Sequence, residues 1–580
     1  MKPKILFLEI ILAFVVAMSL RSLIVKEKQY ISAPSSREEK MKSMLLCSPD
    51  WSEIDEDLLA ASIGPLPGWG KYFWKIGSSN DSAQFYFNQG INMYYAFHII
   101  EAMASFKKAE TFDDKEPMIY WAQALAYGPN INDLEYNAAP EAADAAAKAV
   151  ALSGKLSLKE RLLINAMSKR YSKDTSVSRA LLDEAYTRAM EDASNSTSDA
   201  DVHALYADAI MLQHPWRYWK ANGEAESWTP ELIAILEKVL KNNPEHPGAN
   251  HYYIHATEAS PAPQRALASA DRLGTMMPGV SHMVHMPSHV YIRSGHYEKG
   301  IEVNETAVKA YNKYLELYPE VVNKMDIYLI HNLHMQAACA MLRPNYGYAL
   351  KSAELARKSF DTSFLSLPAP IGCFAQYVYI TPQLVKLRFG RWADLAAEPV
   401  IPENYVYAHL LDSWARGMAA ASSGKKEEAI KYLEAVNQSI LHPDLKVVMG
   451  PFNAPKSGGL VAQKLLEGMI SEKFGKQDDA LNYYKQARLL EDSLIYTEPR
   501  DWLIPTRHYL ANSLIAAGKF KEAETVLKED LAINPNNFYA LSALDKMSRQ
   551  KQLNDKAGVH QKAFKQVFTG TDMPEGALVY

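Results

Sequence analysis

Hydrophobic residues recur about every three to four positions over long stretches of the chain, which is the spacing of amphipathic helices. Few runs alternate strictly between apolar and polar residues, as strands do. Short segments rich in glycine and charge separate the helical stretches, such as GHYEKG from Gly295 and AGKFKEA from Ala517. The pattern predicts an all-α chain whose helices are joined by tight corners.

Small residues recur at fixed offsets in several of these helices, which indicates an internal repeat of about 34 residues. A tetratricopeptide repeat is a pair of antiparallel helices with small residues where the two backbones approach and a glycine at the turn. Gly90 and Ala102 fit this spacing near the N-terminus, and Ala511, Gly518 and Ala523 fit it near the C-terminus. The repeats predict an α-solenoid, in which the helix pairs stack into a superhelix.

Four segments follow from this interpretation. Residues 1–30 are predicted to be a signal peptide or an N-terminal membrane anchor, and residues 31–82 an irregular lead-in. Residues 83–345 are predicted to hold the N-terminal and central repeats, including a cluster of histidines. Residues 346–580 are predicted to hold the C-terminal repeats.

The first segment has the composition of an export signal. Lys2 and Lys4 precede an apolar run from Ile5 to Ala17, and Ala17 and Ser19 suit a signal-peptidase site. An uncleaved membrane tether is the alternative. In either case we expect the repeats to lie outside the cytoplasm, in the periplasm or anchored to the membrane.

Composition excludes several classes of protein. The net charge is −5, and no basic run is interleaved with aromatic residues, which argues against a nucleic-acid partner. The three cysteines, Cys47, Cys339 and Cys373, contain no Cys-x-x-Cys pair and cannot form a disulfide framework. Phosphate-binding glycine loops, dinucleotide fingerprints and the Gly-x-Ser-x-Gly elbow are absent from the sequence.

The histidines are more informative. Eight of the 16 lie between residues 251 and 334, where even scattering would place roughly two. His251 and His285 are 34 residues apart, and so are His255 and His289. Because 34 is the repeat length, the two pairs occupy equivalent positions of successive helices. Residues four apart share a helix face, so both pairs are expected to face the concave groove.

The same repeat frame adds other side chains to this cluster. His282, His331, His334 and Glu258 also fall at positions expected to face the groove. Paired imidazoles can converge on one ion, and seven histidines with one carboxylate suffice for one ion or for two neighbouring ions. Ligation by imidazole without thiolate suits zinc, copper or iron. Groove positions are not expected to be buried by the repeat scaffold, so core packing does not explain these histidines.

Two functions therefore remain open. The first is a transition-metal-binding groove, with or without catalysis, in which Glu258 or Asp208 would carry protons. The second is an exported or membrane-tethered scaffold that binds a peptide, a protein or a small molecule in the groove without catalysis.

Other residues bear on the geometry of the groove. Pro287 lies within the second histidine pair, where it either begins a helix or kinks one. His508 again falls at a groove position, so either a distant C-terminal helix closes over the groove or Arg507 pairs with Glu498 as a structural strut, which is the simpler interpretation. Trp216 either lines the groove wall or belongs to the solenoid core.

Five motifs carry a resemblance to a known family: YFNQGINMYYAFHIIEAMASFKKAE, YWAQALAYGPNIN, HPGANHYYIHATEAS, HMVHMPSHVYIRSGHY and EPRDWLIPTRHYLANSL. In this order they resemble a group of bacterial tetratricopeptide-repeat proteins, from about Phe85 to about Leu544. That group is for the most part without an assigned activity. The resemblance thus implies the repeat fold and leaves the function to the chemistry of the residues.

Overall fold

The computed structural model describes residues 54–133, 138–317, 326–359 and 361–550, together with Pro49, Trp51, Tyr136, Asp572, Leu578 and Val579. Within these residues the regular structure is helical, and the β pairing consists of an isolated antiparallel bridge between Trp219 and Ala225. The predicted signal or anchor at residues 1–30 lies outside the described residues and stays a prediction. In the described part, no helix has both the length and the apolar character to span a membrane.

The first fifteen helices of the described residues extend from the lead-in to the end of the histidine cluster. In chain order they are α1 (Glu56–Ser62), α2 (Asp81–Tyr95), α3 (Ile99–Glu110), α4 (Pro117–Ala126), α5 (Pro140–Ala151), α6 (Leu158–Arg170), α7 (Arg179–Ser196), α8 (Ala200–Gln213), α9 (Thr229–Asn242), α10 (Pro247–Thr257), α11 (Leu267–Met276), α12 (Ser281–His285), α13 (Pro287–Arg293), α14 (Tyr297–Leu317) and α15 (Asp326–Leu342).

The remaining described helices follow from Tyr346 onward. They are α16 (Tyr346–Lys358), α17 (Ile371–Arg388), α18 (Trp392–Ala396), α19 (Val406–Ser422), α20 (Lys426–Ser439), α21 (Pro455–Lys473), α22 (Gln477–Asp492), α23 (Thr506–Ala516), α24 (Phe520–Ile533) and α25 (Phe538–Gln550). Short 3-10 helices lie at Pro263–Ala266, Thr362–Ser366 and Pro443–Lys446.

The helices pack in the order expected of stacked pairs. Helices α19, α21 and α23 each contact the helix that follows, and α17, α19, α21 and α23 also contact one another in succession. The first helix of each pair therefore touches both its own partner and the first helix of the next pair, as in a tetratricopeptide array. The predicted all-α solenoid is confirmed.

Glycine occupies the corners between paired helices. Gly424, between α19 and α20, and Gly518, between α23 and α24, have φ angles of 75° and 72°. Glycine adopts this left-handed conformation without the steric cost that a Cβ atom adds. The corners before α14, α18 and α22 are built in the same way, by Gly295, Gly390 and Gly475. These are the glycines of the corner motifs read from the sequence.

Small residues lie where two helices approach each other closely. A Cβ atom added to Gly90 in α2 would lie 2.3 Å from the Phe106 ring in α3. One added to Gly468 in α21 would lie 2.4 Å from the Tyr484 ring in α22. An aromatic ring of the second helix thus fills the space that the glycine leaves, which explains the recurring spacing of small residues.

Pro287 interrupts a helix that has already begun. Met286, between α12 and α13, keeps helical φ and ψ angles of −49° and −36°. Pro287 is the first residue of α13 and has no N–H group to donate to the preceding turn. Of the two alternatives, the structure therefore has the kink. His285 ends α12 before the kink, and His289 lies in α13 after it.

Candidate metal centre

Six histidines from four neighbouring helices converge inside the superhelix. Helix α10 contacts α13, and α12 contacts α15, because successive first helices stack side by side. The ring nitrogens form two groups of three. We call His251, His255 and His282 the first triad, and His285, His289 and His331 the second triad.

The first triad brings three Nε2 atoms close together. His251 Nε2 lies 3.1 Å from His255 Nε2 and 3.1 Å from His282 Nε2. Nitrogens that bind one tetrahedral or octahedral ion at about 2.0–2.1 Å are about 2.9–3.4 Å apart. These two distances are those of ligands on one ion, and one ring nitrogen from each of the three histidines lies within 4.8 Å of the others.

The second triad has the same arrangement. His289 Nε2 lies 2.8 Å from His285 Nε2 and 3.3 Å from His331 Nε2. The kink at Pro287 does not separate His285 from His289, since their Nε2 atoms are at least as close as those of the pair on the unbroken helix α10. The triads adjoin each other, with the His255 and His289 ring centroids 5.9 Å apart.

In four of the six rings the outer nitrogen bonds to an acceptor, whereas His282 Nδ1 is buried without a hydrogen-bond partner among the described residues. His251 Nδ1 lies 2.6 Å from the Tyr95 carbonyl oxygen, which can only accept, so Nδ1 carries the proton. His285 Nδ1 lies 2.6 Å from Asn304 Oδ1. The Asn304 amide nitrogen donates to the Gly300 carbonyl, which leaves its oxygen for the histidine. In both rings the inward Nε2 therefore presents a lone pair.

Glu258 connects the two triads. Its Oε1 accepts a hydrogen bond from His255 Nδ1 at 3.2 Å, and its Oε2 accepts one from His289 Nδ1. Burial disfavours the carboxylate, but the His289 and His255 rings outweigh burial and hold the pKa of Glu258 below its usual value. One ionised carboxylate thus orients a ring in each triad, as the supporting partner of a metal-ligating histidine does.

The inner nitrogens have too few protons to bond with one another. Burial lowers the pKa of His251, His255 and His285, so these rings are neutral at pH 7 and carry one proton each. That proton is already on Nδ1. A proton on Nε2 of His282 or His331 could satisfy only one neighbouring lone pair. A bound cation would balance the lone pairs that remain.

The expectation that groove positions stay unburied is wrong. His251 and His285 are 0% exposed, and His255 is 2% exposed. The reason is that side chains from other parts of the chain fill the interior of the superhelix. The Phe97 ring centroid lies 4.4 Å from that of His251, and the Trp216 centroid lies 5.3 Å from that of His255.

The two aromatic residues beside the first triad have a strained backbone. Phe97 and Trp216 have φ angles of 59° and 61°, and the third described non-glycine residue with positive φ is Asn536. This conformation costs an aromatic residue about 1–3 kcal/mol, so it persists only where the surroundings fix it. Phe97 stacks on His255 and His282 with centroids 5.8 Å apart. The strain is concentrated beside the first triad.

His334 and Asp208 lie apart from the triads. His334 Nε2 is 3.2 Å from Thr381 Oγ1, and burial lowers the pKa of His334 to about 4. Asp208 accepts a hydrogen bond from the Tyr94 hydroxyl at 2.8 Å, and burial raises its pKa to about 6. Among the described residues, Asp208 makes no hydrogen bond to a triad histidine. Glu258 is therefore the predicted carboxylate that the structure brings to the cluster.

The predicted pairing of Arg507 with Glu498 is wrong. Arg507 Nη1 lies 2.7 Å from Asp492 Oδ1, because α22 and α23 are antiparallel neighbours. His508 is buried in the C-terminal repeats, where its Nε2 lies 2.9 Å from Asp530 Oδ2. Glu498 instead lines a cavity beside the histidines.

This cavity has a volume of about 260 Å³ and reaches both triads. His255 and His282 of the first triad line it, as do His289 and His331 of the second. Other walls come from α15, α17 and α19 and from residues 447–458 and 497–501. Sequence reasoning missed residues 447–458, because no motif marks them. Residues 498–501 begin the motif EPRDWLIPTRHYLANSL, but sequence reasoning assigned Glu498 a structural role and did not place it beside the histidines.

Fold and site together define a tetratricopeptide-type solenoid that encloses a six-histidine cluster. No family model matches the chain, and no curated protein matches it significantly. The chain is similar to human IFIT1 in complex with m7Gppp-AAAA, at 11% identity over 85% of this chain and 91% of that chain, with a TM-score of 0.31. It is similar to yeast Tom70, at 12% identity over 84% and 97%, with a TM-score of 0.29. Similarity at this level carries no information about the site.

Proposed function

We propose that the protein binds two transition-metal ions, one at each triad, and that it is a metal-dependent enzyme acting on a small molecule in the adjoining cavity. One observation carries the proposal: six Nε2 atoms converge in two groups of three, in rings whose protons are mostly held on the opposite nitrogen. In the absence of a cation, these lone pairs would repel one another at 2.8–3.3 Å.

The ligand chemistry favours copper or zinc. Each triad offers three neutral imidazoles, which suit copper, zinc and iron. Paired iron ions inside helical proteins are commonly held by several carboxylates. Here the nearest carboxylate, Glu258, accepts hydrogen bonds from His255 and His289 instead of joining a triad. We therefore consider iron less suited to these triads than copper or zinc.

Catalysis is supported by the number of ligands and by the cavity. Three protein ligands leave a coordination position open, as in catalytic metal sites, whereas structural sites are closed by a fourth. The cavity touches four of the six triad histidines. Bound metal ions at these positions would supply Lewis acidity, activation of water or activation of oxygen.

The alternative is a non-catalytic scaffold that binds a peptide or a partner protein. Tetratricopeptide arrays suit this role because their concave surface is extended. In this chain, however, Phe97 and Trp216 fill the interior beside the first triad, and the cavity that reaches both triads has a volume of about 260 Å³. That volume favours a small molecule over an extended peptide.

Elemental analysis tests the proposal directly. Full-length protein purified without a histidine tag should contain about two equivalents of copper or zinc per chain, and chelation should lower its melting temperature. Fewer than about 0.2 equivalents of any transition metal, even after supplementation, would refute the proposal.

Single substitutions distinguish the two sites. His251→Ala should remove about one equivalent of metal by dismantling the first triad, and His285→Ala should do the same at the second. His296→Ala is the matched control, since His296 is exposed on a helix corner and outside both triads. The scaffold alternative instead predicts that both triad variants leave the metal content unchanged and weaken capture of a partner.

A further inference from the structure

We propose that the cavity beside the triads binds a neutral aromatic molecule whose hydroxyl or amino group donates a hydrogen bond to Glu498. The inference deepens the proposed function and rests on it, because the aromatic ring would then lie against the metal ions. It names the chemical class of the ligand from the walls of the cavity.

The size of the cavity suits a small molecule. An apolar cavity of roughly 150 Å³ is enough to bind benzene inside a protein. At about 260 Å³, this cavity has room for one ring with substituents.

The walls favour a planar ring. Trp216 and Phe452 line one part of the cavity as an edge-to-face pair with centroids 5.8 Å apart. Tyr377 and Tyr407 line another part as a stacked pair at 5.9 Å. Aromatic side chains attract a further ring through both edge-to-face and offset stacked contacts. An aromatic ligand therefore gains more from these walls than an aliphatic ligand of the same size.

The described protein side chains that line the cavity offer an anion no cationic partner. No lysine or arginine is among the described residues that line the cavity, whereas Glu498 and Asp501 are. A carboxylate or phosphate would lose its water there without gaining a cationic partner from the protein. Burial also raises the pKa of both acidic residues, so the cavity favours uncharged groups.

Glu498 provides the polar anchor. Its Oε1 is buried and has no hydrogen-bond partner among the described residues. Asp501, in contrast, already accepts a hydrogen bond from Asn453 Nδ2 at 2.7 Å. Buried polar groups without partners are rare in folded proteins, and a ligand that donates to the Glu498 carboxyl would complete its bonding.

Four small probes test the ligand class on the full chain, both as purified and after chelation. By calorimetry, 4-methylphenol should bind at least about 10-fold more tightly than toluene, which has no donor, because a site built to bond a donor rejects the analogue that lacks it. In both states it should also bind more tightly than 4-methylcyclohexanol, which has no aromatic ring, and after chelation it should bind more tightly than 4-methylbenzoate, an anion. Equal or tighter binding of any of these three under the stated conditions would overturn the proposal.

Substitution of the anchor gives a second test. Glu498→Met should abolish the preference for 4-methylphenol over toluene and leave toluene binding in place. Glu403→Met is the control, since Glu403 is exposed and does not line the cavity. An unchanged preference in Glu498→Met refutes the assigned anchor. If this variant does not fold, the comparison of the four probes on the natural chain decides whether the proposed ligand class is correct.

The two proposals fail in different ways. Two equivalents of metal without selectivity among the probes would refute the ligand class alone. Selective binding of 4-methylphenol by a chain that takes up no metal would refute the metal centre alone, since the probes are also measured after chelation.

Discussion

Four of the six triad histidines bond to an acceptor through Nδ1, and that acceptor fixes Nε2 as the nitrogen that faces inward. For His251 the acceptor is the Tyr95 carbonyl, which no sequence pattern could indicate, because every residue has one. For His285 it is Asn304, an internal residue of α14 without a motif of its own. The sequence predicted the histidines, but the groups that orient them became visible only in the folded chain.

Glu258→Gln tests the orienting role of this carboxylate. The glutamine amide has one accepting oxygen, so it can serve only one of the two Nδ1–H groups that Glu258 now serves. The other ring loses its fixed orientation, and metal affinity at its triad should fall by about 10–100-fold. Competition with a chelator of known affinity measures each site.

The matched control for this prediction is Glu101→Gln. Glu101 is also fully buried and also faces a histidine Nδ1, that of His98 at 3.0 Å, but it belongs to neither triad. Glu101→Gln should leave the metal affinity of both triads unchanged. Unchanged affinity at both triads in Glu258→Gln would contradict the role assigned to Glu258.

Single helices and their corners were predicted well from the sequence. The reason is that a corner glycine and a glycine facing an aromatic ring act within one helix pair, where sequence distance and spatial distance agree. The kink at Pro287 was less predictable, because a proline can begin a helix or interrupt one. Packing of α12 against α14 and α15 favours helical structure before the proline.

Gly424→Ala tests the corner geometry. The φ angle of 75° is unfavourable for alanine, although an added Cβ atom would meet nothing within 4 Å. We expect a loss of about 1–2 kcal/mol in unfolding free energy from the backbone alone, measured by chemical denaturation. Gly154→Ala is the control, since its surroundings are equally open and its φ angle is not positive. Equal stability of the two variants would contradict the expectation.

Across the whole molecule, a buried carboxylate ties the lead-in to the repeats. Asp201 in α8 accepts hydrogen bonds from the hydroxyls of Tyr72 in the lead-in and Tyr95 in α2, both at 2.8 Å. His246 Nε2 lies 3.2 Å from its Oδ1, and Lys159 pairs with its Oδ2. Tyr95 is also the residue whose carbonyl orients His251, so this network supports the first triad.

Asp201→Asn should therefore destabilise the protein in a pH-dependent way. Burial disfavours the Asp201 carboxylate, but His246 and Lys159 outweigh burial and hold its pKa below the usual 3.8. A lowered pKa means that the stabilisation is present above pH 4 and is lost as the pH falls below it. We expect a loss of about 3 kcal/mol at pH 7, since one member of a buried ionic group is removed.

Thermal unfolding of the natural chain and of Asp201→Asn between pH 3 and pH 8 measures this difference. The gap in melting temperature should be widest at neutral pH and narrow towards pH 3. The exposed Asp174→Asn is the control, and it should show no comparable gap. A gap that is independent of pH would mean that the carboxylate charge does not stabilise the fold.

The sequence by itself determined the helical repeat, its corners and the set of side chains that carry the site, because each depends on spacing within one or two repeats. A repeat period of 34 residues does not determine how the side chains group in space, which depends on tertiary structure. In the folded chain six histidines form two triads, Glu258 bonds to one ring of each, and His334 and Asp208 lie outside both. Tertiary structure also brought Phe97, Trp216 and Glu498 from distant repeats over the histidines, because the inward curvature of the superhelix is a property of all the helix contacts together.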